Sequence, residues 1–216
     1  MHERYLSNAY VVAAEEGGDA FFVDSGAPVE PLLEAVERWR LTPRAVLRTH
    51  SHADHVEHED ALCERFGIDV VTGDTEATGL RVVSRFTPGH ADDHVVFIVN
   101  DELLFSGDLL FKDAVGGGDA ETVKRSVMDG VMNLPPETWV LPGHTDQTTI
   151  GREWELNPFV VVWRGAQPPL EEPCQVAGEP ATLLVWSPDY DGKGKAWVRF
   201  DDGRERILGG SRVERA

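Results

Sequence analysis

Apolar residues along this chain follow two rhythms. Residues 6–14 and 20–24 are rich in apolar and β-branched side chains and are split by Glu15-Glu16-Gly17-Gly18-Asp19, so they predict two strands around a turn. Between Pro28 and Leu41 the spacing becomes helical: Leu32, Leu33, Val36 and Trp39 share a face, and Pro31 stands near the first turn. Residues 44–49 form a short β-like run, and residues 54–66 predict a helix stopped by Gly67. Strands follow near Val70-Val71 and over 80–86, 95–99 and 103–106. A helix over about 119–132 ends before Pro135-Pro136, and 139–141 is another strand. Strands interleaved with helices predict an α/β architecture in which helices cover sheets.

The texture changes at 165–180, where Gly165, Pro168, Pro169, Pro173, Gly178 and Pro180 read as a linker. Beyond it, 182–186, 196–200 and 205–208 predict three strands, the last two joined by the turn Asp201-Asp202-Gly203. The expectation is a main domain over 1–164, a linker over 165–180 and a small β-rich unit over 181–216, built as a barrel-like or meandering appendage.

Composition narrows the partners. The chain has 216 residues, 41% hydrophobic and 27% charged, with a formal net charge of -18. Phosphate backbones are bound by clustered Lys and Arg, and the sequence has no such run, so nucleic acid is not expected. The same charge repels anionic lipid. No stretch is long and apolar enough to span a bilayer, and Met1-His2-Glu3-Arg4-Tyr5 lacks the basic flank and apolar core of a leader. Cytoplasm is therefore the expected compartment and a small molecule the expected partner. Cys63 and Cys174 form neither a disulfide scaffold nor a metal-type pair, and Cys63 reads as core filler.

The strongest chemical signal is Thr49-His50-Ser51-His52-Ala53-Asp54-His55. In extended chain, residues two apart point the same way, so His50 and His52 can grip one ion. Asp54 and His55 fall where the chain turns into a helix and aim elsewhere, which suits a second ion. Three loops add to this set: Thr87-Pro88-Gly89-His90, Ser106-Gly107-Asp108 and Pro142-Gly143-His144. Each places a ligand-type side chain just past a strand, beside a glycine that permits a tight turn. Five of the eight histidines fall at such positions; His2, His58 and His94 do not.

The ordered set His50-x-His52-x-Asp54-His55, His90, Asp108 and His144 resembles the metallo-β-lactamase fold superfamily over roughly residues 5–160. The resemblance implies an αββα sandwich with metals at one edge. It implies that His50, His52 and His90 hold one metal, that Asp54, His55 and His144 hold the other, and that Asp108 bridges them. Asp24, in Phe22-Val23-Asp24-Ser25-Gly26, matches a position that supports the ligands from behind. Zinc β-lactamases place cysteine or serine where Asp108 stands, which disfavours antibiotic hydrolysis. The run from Pro142 to Glu153, followed by Asn157-Pro158-Phe159, is similar to the tail of hydroxyacylglutathione hydrolases, the glyoxalase II branch. There Arg152 and Asn157 are expected to pin a helix to the sheet.

The chain also departs from that branch. Val56-Glu57-His58-Glu59 stands in place of the usual Gly-Gly pair after His55, and Lys112-Asp113-Ala114-Val115-Gly116 replaces an Arg-Thr-Asp element. A helical glutathione-binding extension is replaced by β-like residues, so glutathione thioesters are not implied. His58 and Lys112 read as surface residues.

The expected activity is that of a binuclear hydrolase with two divalent cations, zinc first and iron or manganese as alternatives. Cations about 3.5–4 Å apart can share a hydroxide, which would attack the carbonyl of an ester, thioester or lactone. Asp54 would have a catalytic part in orienting that hydroxide. One rival is a persulfide dioxygenase of the same fold, using a single iron at His50, His90 and Asp108. Another is nuclease activity, because Thr87-Pro88-Gly89-His90-Ala91-Asp92-Asp93-His94 resembles a form found in RNA-cleaving members; the -18 charge opposes it. A non-catalytic binding module is disfavoured because all seven ligand positions are filled. The sequence leaves open the oligomeric state and whether the β-rich tail is a dimer contact, a lid or a docking module.

Overall fold

Alternation along the strands decides what each face buries. A computed structural model describes residues 6–215. In its first sheet, β1 (Tyr10–Ala13), β2 (Asp19–Val23) and β3 (Thr42–Leu47) lie side by side, with β4 (Asp69–Val71) beyond β3. Helix α1 (Glu30–Arg38) links β2 to β3, and two short helices, α2 (Ala53–Val56) and α3 (Glu59–Phe66), link β3 to β4. Phe21, Val23, Ala45 and Leu47 face inward, while Ala20, Phe22 and Val46 face outward and are covered by Leu32 and Val36 of α1 and Leu62 of α3. This is the period of two expected for strands buried on both faces.

The second sheet is built from β5 (Thr75–Ala77), β6 (Leu80–Phe86), β7 (Val95–Val99) and β8 (Leu103–Gly107). After β8 come the short β9 (Leu110–Phe111), β10 (Ala114–Val115) and β11 (Gly118–Asp119), then α4 (Ala120–Met128). Strand β12 (Trp139–Pro142) joins the second sheet parallel to β8, and β13 (Thr148–Thr149) closes its edge. Helices α5 (Ile150–Leu156) and α6 (Pro158–Trp163) follow. Val95, Phe97, Val99 and Phe105 meet the first sheet, and Val96, Ile98, Leu104 and Val140 pack against Val123, Val127 and Phe159 on the helices. The order of layers is helix, sheet, sheet, helix, as the sequence predicts.

The C-terminal segment adds β14 (Glu172–Val176), β15 (Glu179–Ser187), β16 (Lys195–Phe200), β17 (Glu205–Gly209) and β18 (Val213–Arg215). They form one sheet in the order β11-β17-β16-β15-β14-β18, so β11 of the main body is its first strand. The expected barrel-like closure is not found: β11 and β18 are the two edges and do not pair, leaving the sheet open. The stretch 165–180, expected as a linker, supplies β14. Its Pro173 pairs with Thr182 of β15, next to Cys174, which pairs with both Ala181 of β15 and Arg215 of β18.

Two other elements differ from expectation. The helix predicted over 54–66 is broken into α2 and α3, and the His58 N–H at the break donates to the Ser25 carbonyl at 3.1 Å. The strand predicted over 6–14 is regular only at β1; Ser7 makes a lone bridge to His144 instead. Gly67 ends α3 in the left-handed conformation, φ 63°, as the sequence indicates.

Phe97 is fully buried between the sheets. Phe97→Ala should lower unfolding free energy by about 3–5 kcal/mol, read from the midpoint of a guanidinium titration. A loss well below 1 kcal/mol would mean that the two sheets do not close on it.

Candidate metal centre

Both sheets end at the same edge. Thr49 follows β3, and its carbonyl accepts the Val95 N–H at 2.8 Å, tying the end of the first sheet to the start of β7 in the second. Strands β8 and β12 are parallel neighbours, so Asp108 and His144 emerge side by side, and the Gly143 N–H donates to the Gly107 carbonyl at 2.8 Å. The loop after β6 supplies His90. The chain thus delivers His50, His52, Asp54, His55, His90, Asp108 and His144 to one place.

Their facing atoms are close. Nδ1 of His52 lies 3.0 Å from Nε2 of His50 and 3.0 Å from Nε2 of His90. Nε2 of His144 lies 3.5 Å from Asp54 Oδ2 and 3.4 Å from Asp108 Oδ2, and Nε2 of His55 lies 3.8 Å from Asp54 Oδ2. Asp108 reaches both groups: Oδ1 is 3.3 Å from His55 Nε2, and Oδ2 is 3.3 Å from His90 Nε2. Zinc–nitrogen bonds of about 2.0–2.1 Å make the edge of a tetrahedral shell about 3.3–3.4 Å. The observed spacings, from 3.0 to 3.8 Å, lie around that edge. Two atoms make the fit sharper: His55 Nε2 and Asp108 Oδ1 are buried without a hydrogen-bond partner, an arrangement a cation between them would satisfy.

The far side of each ring is held. His55 Nδ1 donates to Asp24 Oδ2 at 2.8 Å, His90 Nδ1 to the Gly117 carbonyl at 3.1 Å, and His144 Nδ1 to the Leu6 carbonyl at 3.1 Å. His50 Nδ1 sits 3.0 Å from the Thr49 hydroxyl, which itself donates to Asp24 Oδ2 at 2.8 Å. Asp24 therefore orients two histidines, directly and through Thr49, and a ring fixed at Nδ1 presents Nε2 to the centre. Its backbone has φ 53°, and the chain turns tightly enough there that a Cβ on Gly26 would overlap the Asp54 carbonyl.

Charge follows position. Burial, helped by the neighbouring His55, holds His50 neutral far below its ordinary value. Burial also opposes charge on His55 and His144, but carboxylates overcome it. Asp24 and Asp108 raise His55 to about 11, and Asp108 with Asp54 raises His144 to about 9. Burial of Asp108 favours its neutral form, yet the adjacent imidazoles of His144 and His55 hold it well below the usual carboxylate range.

Sequence reasoning missed His94. It is buried, its Nδ1 lies 2.9 Å from the Thr87 hydroxyl, and its Nε2 accepts the Asp108 N–H at 3.1 Å. That bond needs the neutral ring, and burial pulls His94 down to about 3. It positions Asp108 without joining the ligand atoms. Also missed was the loop between β15 and β16, which lays Tyr190 flat on His144, with ring centroids 4.1 Å apart and planes 6° from parallel. Lys195 and Asp189 brace that loop through a buried ion pair at 3.0 Å. No local sequence pattern marks these residues, because their role depends on where the tail folds. Arg152 and Asn157 take the structural role expected of them. Arg152 bonds Asp113 and Glu153, and Asn157 Nδ2 donates to the Ala114 carbonyl at 3.0 Å, fixing α5 to the loop after β8. Lys112 is a surface residue paired with Asp146 at 3.0 Å.

Fold and site together define an αββα sandwich with a histidine–carboxylate centre at one edge. The family model of the metallo-beta-lactamase superfamily matches residues 2–81. An uncharacterized protein of Mycobacterium tuberculosis is 32% identical, over 71% of this chain and 92% of its own length. Hydroxyacylglutathione hydrolase GloC of Haemophilus influenzae is 26% identical, over 66% and 87%. Among solved structures, the BLEG-1 B3 metallo-beta-lactamase superposes with TM-score 0.67 at 28% identity, covering 74% of this chain and 96% of that one. ETHE1 from Myxococcus xanthus gives 0.65 at 26%, covering 79% and 91%, and TTHA1623 in a di-iron-bound form gives 0.61 at 30%, covering 74% and 98%. The chain belongs to the metallo-beta-lactamase superfamily.

Two consequences can be measured. A Cβ at Gly143 would overlap Asp108 Oδ1 and crowd His55 Cε1, so Gly143→Ala should cut bound metal at least tenfold while the circular dichroism spectrum stays native. Full metal content in that variant would show that the centre is looser than these distances. In the metal-free protein, His55 and His144 hold protons through neutral pH, because their folded values lie above 7. Cations must displace those protons, so zinc added to chelator-stripped protein at pH 7.5 should release about two protons per chain, and affinity should rise with pH. Zinc uptake without proton release would remove these two rings from the ligand set.

Proposed function

We propose that this chain is a hydrolase with a two-cation centre that cleaves the carbonyl bond of a small ester, thioester or lactone. The observation that carries the reading is Asp108, whose oxygens reach His90 of one set of ligand-type atoms and His55 and His144 of another, with the buried His55 Nε2 and Asp108 Oδ1 facing each other at 3.3 Å without a hydrogen bond. His50, His52 and His90 form one set and Asp54, His55 and His144 another, and His50, His55 and Asp108 cluster between them. Divalent cations bound there, zinc first, would act as Lewis acids and lower the pKa of water from about 15.7 to near 7.

The chain's own residues set the geometry of attack. Buried groups make up the floor of the centre, while His52 is exposed and the Asp54 side chain retains 21% exposure, so substrate approaches from their side. Asp54 Oδ2 accepts a hydrogen bond from the attacking water and turns its lone pair towards the carbonyl. The three-histidine set faces the carbonyl oxygen, and the set containing His144 faces the leaving group. Tyr190 and Phe111 stand edge to face beside His144, with ring centroids 6.1 Å apart, and shelter the leaving-group side from solvent. Burial and the nearby Asp108 push the Tyr190 hydroxyl above its ordinary value, so it stays protonated and can donate a hydrogen bond at neutral pH.

The similarity to the hydroxyacylglutathione hydrolase GloC supports thioester chemistry, while His50, His90 and Asp108, whose imidazole and carboxylate groups also suit iron, support a second reading, a single-iron oxidoreductase. Elemental analysis of purified protein, paired with a screen of thioesters, lactones and phosphoesters, separates the two. The hydrolase reading expects about two zinc-type ions per chain. It also expects Asp108→Ala to lose metal and at least a hundredfold in kcat/KM. One iron per chain, with oxygen uptake on glutathione persulfide and no hydrolysis, would replace it with the second reading.

A further inference from the structure

His90 faces more than the metal centre. It also lines a cavity of about 510 Å³ that runs past Gly117 and Gly118 onto the C-terminal sheet. Phe200 and Ile207 give this cavity apolar walls, and Arg204, Arg206 and Arg212 stand around it. In a chain with 20 basic and 38 acidic residues, three guanidiniums around one cavity run against the composition. They are not equally committed. Arg204 is held by Asp202 at 2.5 Å and Glu179 at 3.0 Å. Arg206 and Arg212 have no ion pair or side-chain hydrogen bond among the described residues, and Arg206 acts only at longer range, on Asp119. Their donors are free for a ligand.

Position matters as much as charge. The cavity lies at the joint where β11 pairs with β17, Gly118 with Ile207 and Asp119 with Arg206. That joint fixes Arg206 relative to Gly117, whose carbonyl holds His90. The arginines are thus tied by backbone to a residue of the three-histidine set.

We propose that this cavity is the acyl-side subsite, and that the substrate is an ester or thioester whose acyl chain ends in a carboxylate. The inference rests on the hydrolase reading for its orientation, because the three-histidine set is the one that faces the carbonyl. The apolar walls take a short methylene arm, and the free guanidiniums of Arg206 and Arg212 take the carboxylate. A planar fork of N–H donors suits a planar anion. Positive charge at this one mouth of an acidic protein also draws the anion to the correct side.

The test compares two thioesters of N-acetylcysteamine that differ only at the acyl end, glutaryl and the neutral glutaramyl amide. Metal-loaded wild type should show a kcat/KM ratio of about tenfold or more in favour of glutaryl. That ratio should shrink as salt rises from about 0.05 to 0.5 M. R206Q/R212Q, which should keep native circular dichroism and metal content, should bring the ratio close to one. A wild-type ratio near one, or a ratio that survives in the double variant, overturns the subsite and leaves the hydrolase reading intact. If wild type cleaves neither thioester, the hydrolase reading is in difficulty and glutarate titrated calorimetrically into the protein decides the subsite. Binding weakened at least tenfold by R206Q/R212Q supports it, and no binding to wild type overturns it.

Discussion

A carboxylate buried among imidazoles is the constraint around which the rest of this molecule is arranged. Asp108 is almost wholly removed from water, and an isolated charge there would be intolerable. His55, His90 and His144 approach its oxygens, and His94 grips its backbone N–H from behind. Accommodating that carboxylate explains the glycines around it. A side chain at Gly116 would overlap the Asp108 carbonyl, and one at Gly143 would overlap its carboxylate. The strand order follows the same need, since only neighbouring parallel strands such as β8 and β12 bring Asp108 and His144 out together.

Outside this ring the structure stiffens rather than decorates the centre. Asp24 accepts from the Thr49 backbone, the Thr49 hydroxyl and His55, so one buried carboxylate fixes the His50 and His55 rings at once. On the opposite side, the Tyr10 hydroxyl donates to the Pro142 carbonyl at 2.6 Å, and Asn8 donates to the Pro142 and Thr145 carbonyls. These bonds hold the loop of His144 to the N-terminal strand. The second support reaches over a hundred positions along the chain and joins the two sheets. A centre assembled from strand ends keeps its geometry only if the sheets cannot slide, and these contacts prevent that.

The layers of the sandwich were legible because strands buried on both faces alternate cleanly, as in Ala20-Phe21-Phe22-Val23. The metal-type residues were legible because they sit just past strands, clustered in 50–55 or beside a glycine at His90, Asp108 and His144, a placement that His94 does not share. His94 escaped for that reason: its function is set by the Asp108 amide it meets across the fold. The single helix expected over 54–66 failed because local periodicity cannot register the demand on Asp54 and His55 to turn inward beneath Gly26. The tail misled in a different way. Prolines 173 and 180 look like breakers, yet both lie in strands, and Pro180 stands just outside the β15–β16 ladder, whose pairing starts at Ala181 with Phe200.

That tail then changes what the centre is. Val185 and Ile207 of the C-terminal sheet belong to the same apolar cluster as Val123 and Val127 of α4, and Trp197 meets Trp163 of α6 with centroids 6.1 Å apart. Strand β11 makes the joint covalent as well as apolar, because it is simultaneously the sheet's edge and the lead-in to α4. A segment fastened at both ends of such an interface cannot swing away without exposing that core. Tyr190 on His144 is therefore a fixed wall, not an occasional visitor, and the cavity under β17 has a fixed mouth. The seven metal-type residues set the kind of chemistry the edge can perform, while the sheet that follows them determines the shape and charge of what can reach it.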